Sequence, residues 1–128
     1  MENKGLALEL LEGCFGVCRL KENEDIPNWC FNGGLYSITK THDELSIVCS
    51  EDYIPQDTKC EKGWRIIKIL GPLDFSLIGI LSSISSVLAR EGISIFALST
   101  YDTDYILIKD DKIKNAIKAL EREGYTFV

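Results

Sequence analysis

One histidine, His42, stands in a chain of 128 residues. Cys–His or His-based acid–base chemistry at neutral pH would therefore rest on that single side chain. His42 lies beside Asp43 and Glu44 in a stretch that reads as a turn, and no G-x-S-x-G, P-loop or dinucleotide fingerprint is present. The expectation is a protein that is not an enzyme. No basic block exceeds two residues, and 14 basic side chains face 20 acidic ones, for a net charge of −6. Binding a phosphate backbone needs clustered Lys and Arg, so nucleic acid is not an expected partner. No apolar run approaches the ~18 residues that cross a bilayer, so no membrane partner is expected either. The N-terminal MENKGLALELLEG lacks the long apolar stretch and cleavage site of a secretory signal, which points to the cytoplasm.

Five cysteines are present: Cys14, Cys18, Cys30, Cys49 and Cys60. An odd number without a secretion signal suggests reduced thiols rather than a disulfide framework. Cys14 and Cys18 have a spacing seen in some metal sites. The other three have no matching spacing, and one histidine adds little, so small buried or half-buried thiols are the expectation, with no metal and no cofactor.

An offset of sixty aligns two parts of the chain without a gap. LYSITKTHDELSIV (35–48) falls on IFALSTYDTDYILI (95–108), and LALEL (6–10) on IIKIL (66–70). In this register Thr39 matches Ser99 and Glu44 matches Asp104. Both copies read as strand, polar turn, strand. Duplication divides the chain near Lys62–Gly63 into modules 1–62 and 63–128, each too small to bury much apolar surface alone.

The second half is the more legible. WRIIKIL (64–70) is a β-branched run suited to a buried strand, ended by Gly71-Pro72. Leu77, Ile80, Leu81, Ile84, Val87 and Leu88 recur at helical spacing, with Asp74 placed as N-cap and Gly92 as a left-handed C-terminal residue. ISIFAL and YILI make a hairpin around the polar turn. A second helix presents Ile113, Ala116, Ile117 and Leu120, with Asp110 or Asp111 to cap it and Gly124 to end it, and YTFV closes the chain. The order β-α-β-β-α-β is that of a ferredoxin-like α+β module, an antiparallel sheet with both helices on one face. The first half reads as a degenerate copy. CFGVCRL (14–20) alternates like a strand where the second half has a helix, and short helices are expected to start near Pro27 and near Pro55. Trp29 and Trp64 read as core or interface anchors.

The run ILGPLDFSLIGILSSISSVLAREGISIFALSTYDTDYILIKDDKIKNAIKALEREGY resembles an ACT domain, of the type found in the tandem ACT modules of CASTOR arginine sensors and their small bacterial relatives. TKTHDELSIVCSE (39–51) is similar to the first half of those two-module proteins. The resemblance implies two tandem ferredoxin-like modules and non-catalytic binding of a small molecule, most often an amino acid. It also implies regulation by ligand-dependent association, with a homo-oligomer or a regulated protein as partner. Carried over residue by residue, it implies ligand contacts at Leu73, Asp74, Phe75, Ser76 and Leu77, where the first helix starts. It implies further contacts at Ser99, Thr100, Tyr101, Asp102 and Asp104 in the following turn. Some relatives carry an acidic residue where this chain has Leu77, so the resemblance does not carry arginine over as the ligand.

The same residues make chemical sense for a zwitterion. A helix N-terminus offers unpaired N–H groups to a carboxylate, and Asp102 and Asp104 offer charge-assisted hydrogen bonds to an ammonium. The two groups meet if the strand before the first helix lies beside the strand after it. The plainer alternatives stay open: Asp74 as a cap alone, Asp102 and Asp104 as a solvated turn, or an ACT-fold docking module with no ligand.

Overall fold

The computed structural model describes residues 7–70 and 79–128. Its elements in chain order are β1 (Ala7–Leu10), β2 (Phe15–Leu20), β3 (Ser37–Lys40), β4 (Leu45–Ser50), β5 (Cys60–Ile69), α1 (Ile80–Arg90), β6 (Phe96–Ser99), β7 (Asp104–Lys109), α2 (Ile113–Arg122) and β8 (Thr126–Phe127). From β5 onward this is the β-α-β-β-α-β order that the sequence periodicities predict. The residues form two compact units, one of Gly13–Trp64 and one joining β1 to Arg65–Val128. A single cut after Lys62 does not separate them, because β1 completes the C-terminal unit. An apolar strand carries no mark of the unit it completes; its backbone groups pair wherever an open sheet edge accepts them.

In the C-terminal unit the strand order is β8-β1-β5-β7-β6. Leu8 of β1 faces Ile69 of β5 in an antiparallel pair, and Leu8 faces Phe127 of β8 in a parallel one. The sheet is therefore mixed rather than wholly antiparallel. β7 lies between β5 and β6, so the strands before and after α1 are not neighbours as expected. Ile67 and Ile69 alternate onto one sheet face with Ile106 and Ile108. There they join Ile84, Val87 and Leu88 of α1 and Ala116, Ala119 and Leu120 of α2 in one buried core. Both helices thus cover the same face.

Both helices stop in the same way. Gly92 (φ 73°) and Gly124 (φ 99°) take the left-handed conformation. The next residues, Ile93 and Tyr125, donate their N–H groups back to Leu88 and Leu120 and are themselves buried. This is the glycine-terminated Schellman arrangement, with its hydrophobic contact supplied by the residue after the glycine. Neither Asp110 nor Asp111 caps α2. They form a 3-10 turn, Asp110–Lys112, that runs directly into the helix, whose cap residue is Lys112 with no side-chain bond. α1 starts at Ile80 with Gly79 as its cap residue and no side-chain bond, not with the expected cap Asp74, which itself lies outside the described residues.

In the unit Gly13–Trp64, β3, β4, β2 and the first half of β5 pair antiparallel in that order. β2 is the strand that its alternation predicts. A 3-10 turn, Asn28–Phe31, follows Pro27. The other expected helix is displaced: a 3-10 turn, Glu51–Tyr53, ends before Pro55, which disfavours helical geometry in the residue preceding it and instead opens a turn closed by Thr58. The β2–β5 register shifts between Phe15 and Val17, where Gly16 faces Ile54 so closely that a Cβ would fall on it. The core here is small and rich in thiols: Cys18, Cys30 and Cys49 pack with Leu45, Ile47 and Ile54.

The two hairpins are equivalent at an offset of fifty-nine, not sixty. Lys40 and Leu45 close the first turn, and Ser99 and Asp104 close the second. Thr41 therefore corresponds to Thr100 and Asp43 to Asp102. Ile47, Val48 and Cys49 correspond to Ile106, Leu107 and Ile108, all six buried. The ungapped offset of sixty matched apolar residues of both hairpins one position out of their pairing register. In a strand, such a slip exchanges the two faces.

Candidate functional site

The turn between β6 and β7 is built from its own side chains. The Thr100 N–H donates to the Thr103 carbonyl at 2.8 Å, and the Thr103 N–H donates to Thr100 Oγ1 at 3.2 Å. Threonine suits this position because its hydroxyl replaces a backbone partner two or three residues away. The Ser99 hydroxyl donates to Asp104 Oδ1 at 2.6 Å. That bond holds the half-buried Asp104 carboxylate across the closing pair of the hairpin. Tyr101 is 81% exposed, and Asp102 beside it is exposed as well. Among the described residues no cation forms an ion pair with Asp102 or Asp104.

Ser99, Thr100, Tyr101, Asp102 and Asp104 are thus brought together on one turn. The other five expected contacts, Leu73, Asp74, Phe75, Ser76 and Leu77, lie outside the described residues. Thr103, only 6% exposed, donates its hydroxyl to the carbonyl of Ile69, the last residue of β5. This bond ties the turn to the strand end from which the chain continues to residue 73. β5 and β6 are not adjacent, since β7 separates them, yet the turn meets the end of β5 through Thr103.

Thr103 was not among the expected site residues. The available signal was its alternation with Tyr105 and Leu107, which places a small hydroxyl on the same side of the strand as two apolar neighbours. Next to it, Lys68 Nζ lies 6.0 Å from the centre of the Tyr105 ring, within range of a cation–π contact.

Two surface clefts lie away from this turn. One, of about 500 Å³, is in the unit Gly13–Trp64 and is lined by Arg19, Lys21, Glu24, Asp57, Lys59 and Trp29 among others. The other, of about 360 Å³, lies between α1 and the chain end, with Ser83, Arg90, Glu123 and Tyr125 in its lining. Burial raises the Tyr125 phenol above its ordinary value, with a hydrogen bond to Ser83 opposing the shift. His42 is exposed on the 41–44 turn, whereas Cys18, Cys30 and Cys49 are buried. Among the described residues no group of three or more His, Cys, Asp or Glu side chains is placed to hold a metal ion. Nor is any helix among them long and apolar enough to cross a membrane.

Comparison with known proteins covers the chain in two parts. A family model described as ACT domain matches residues 59–122, and a model of an N-terminal domain matches residues 13–57. The human protein named cytosolic arginine sensor for mTORC1 subunit 1 is 38% identical over 60 residues, which is 46% of this chain and 18% of that protein. This chain therefore spans under a fifth of the length of that curated relative. The crystal structure of Atu0741 from Agrobacterium tumefaciens superposes with a TM-score of 0.91 at 40% identity, covering 97% of this chain and 92% of that one. The regulatory subunit of aspartate kinase from Thermus thermophilus superposes with a TM-score of 0.58 at 10% identity, covering 85% and 90%. At that identity the likeness is one of fold alone.

Proposed function

The chain belongs to the ACT domain family, and from that premise we propose that it is a non-catalytic regulatory module that binds a small molecule, an amino acid by class, in the cytoplasm. Its output passes through ligand-dependent association, with a second copy or with a regulated protein. The observation that carries the reading is the 99–105 turn. It holds two carboxylates without an ionic partner among the described residues, beside an exposed tyrosine, and it is anchored to the end of β5 through Thr103. Asp102 and Asp104 receive the ligand's ammonium, Thr100 and Tyr101 add hydroxyl contacts, and residues 73–77 complete the site.

A thermal-shift screen against the common amino acids and a few nucleobases tests this directly. A ligand that binds only the folded state stabilises it by about 2.7 kcal/mol at a hundredfold excess over its dissociation constant. Asp104→Ala is expected to remove the response to a hit while changing basal stability by less than about 1 kcal/mol. Flat melting curves across the whole panel would sink the proposal, and an unchanged response in the variant would remove Asp104 from the site.

A second reading, a docking module without a ligand, is favoured by one observation. Among the described residues β6 pairs only with β7, which leaves an open sheet edge of the kind that accepts a strand from another chain. Sizing with and without a hit separates the two, since a fixed oligomer indifferent to every ligand supports docking.

A further inference from the structure

Four of the five thiols meet in one small core. Cys18, Cys30 and Cys49 are buried there, and Cys60 packs against them while remaining partly exposed. Cys18 on β2 stands directly opposite Cys60 on β5. The neighbouring pair, Arg19 and Lys59, is joined by an Arg19 N–H bond to the Lys59 carbonyl at 3.0 Å. Hydrogen-bonded and non-hydrogen-bonded pairs alternate along an antiparallel ladder, so Cys18–Cys60 is a non-hydrogen-bonded pair. In such pairs the Cα atoms are about 4.5 Å apart and the side chains are at their closest. That spacing falls inside the range of roughly 4.4–6.8 Å that a disulfide spans.

We propose that Cys18 and Cys60 are an oxidative modification site, closing to a cross-strand disulfide when the chain meets hydrogen peroxide. The partly exposed Cys60 reacts first. Its thiolate attacks one peroxide oxygen, the O–O bond breaks, and Cys60 becomes a sulfenic acid with release of hydroxide. The Cys18 sulfur then attacks the Cys60 sulfur. The S–S bond forms, the S–O bond breaks, and the departing hydroxide takes the Cys18 proton and leaves as water. Two thiols supply the two electrons that reduce peroxide to water, and an added dithiol reverses the step. The order of events follows from the surroundings. The hydrogen bond to Cys49 and burial both hold the Cys18 thiol above its ordinary value, so it stays protonated while Cys60 meets the oxidant. The closed bridge locks the β2–β5 pairing beside its register shift between Phe15 and Val17.

The test treats the reduced full chain with hydrogen peroxide, blocks remaining thiols by alkylation, and maps tryptic peptides. Cleavage after Lys4, Arg19, Lys59 and Lys62 places Cys60 on peptide 60–62 and Cys18 on peptide 5–19. The expected product is 5–19 joined to 60–62 with the loss of two hydrogens, assigned to Cys18 rather than Cys14 by fragmentation and abolished by dithiothreitol. Cys60→Ser should give no linked product and leave Cys18 fully alkylated after denaturation. Three results overturn the proposal: Cys60 accumulating as sulfenic or sulfinic acid without a link, a link through Cys14 or Cys49, or no oxidation of Cys60. Cys18→Ser buries a hydroxyl in the core and perturbs folding, so the native chain and the Cys60 variant carry the test.

Discussion

The hairpins 37–50 and 96–109 share one turn design but close it differently. In both, a threonine N–H bonds to a carbonyl three residues on, and the same threonine's hydroxyl accepts a returning backbone N–H. Thr41 and Thr100 do the same work. The closing pairs differ: Lys40 and Leu45 in the first, Ser99 and Asp104 in the second. Only the second places a carboxylate across its closing pair, and only the second has a buried hydroxyl, Thr103, where the first has Glu44. A shared turn therefore records shared local folding. The chemistry proposed for a ligand arises from the few positions at which the copies diverge.

The sharpest test of that comparison lies under the hairpins. Ile47 and Ile106 are equivalent and fully buried. Ile106 is enclosed between sheet and two helices, whereas Ile47 sits in a core of small thiols and short loops that can collapse more readily. Ile106→Ala should lower stability by about 4 kcal/mol and Ile47→Ala by about 3 kcal/mol in urea titrations. Reversed losses would show that the smaller core is the stiffer one.

Next in size, Thr103→Val keeps the side-chain volume but leaves the Ile69 carbonyl without its donor. A loss of about 2 kcal/mol is expected, against less than about 0.5 kcal/mol for Glu44→Ala at the equivalent, partly exposed position. Equal effects would mean that Thr103 does not anchor the turn. Smaller still, Thr41→Ala and Thr100→Ala should each cost about 1 kcal/mol; a clear difference between them would break the equivalence of the turns.

The smallest effect is alkaline. Burial raises the Cys30 thiol above its ordinary 9.0 and the Tyr125 phenol above its ordinary 10.0. Each group is held neutral in the fold, so its contribution is complete below the unfolded value and is lost as pH rises through the raised one. The Gly13–Trp64 unit should start to weaken above 9.0 and the C-terminal unit above 10.0. The raised Cys18 thiol weakens the same unit over the same range, so Cys30→Ala should remove part of the first decline in urea midpoint and Tyr125→Phe the second. A decline unchanged by both variants would assign it to other groups.

Much of the fold is legible in the sequence. The apolar stripe from Ile80 to Leu88, the alternation in Phe15–Leu20 and the glycines at 92 and 124 each depend on neighbours within a few residues. Less of the candidate site is legible. Ser99, Thr100, Asp102 and Asp104 announce a polar turn by composition, and the family resemblance singles them out. Thr103 does not announce itself, because its partner, Ile69, is thirty-four residues away in the chain. The offset of sixty illustrates the same limit. It scores well on residue type, while strand pairing depends on hydrogen-bond register, to which residue type is nearly blind.

Length, charge and periodicity by themselves determined a small acidic α+β chain, the β-α-β-β-α-β order of its second half, and where the helices end. These are short-range consequences of side-chain volume, backbone freedom and local hydrogen bonding. Tertiary structure alone decided that β1 completes the C-terminal sheet, that β7 separates β5 from β6, and that Cys18 faces Cys60. The physical reason is that backbone donors and acceptors are alike at every residue. Which strands pair is settled only when the whole chain has buried its apolar faces together.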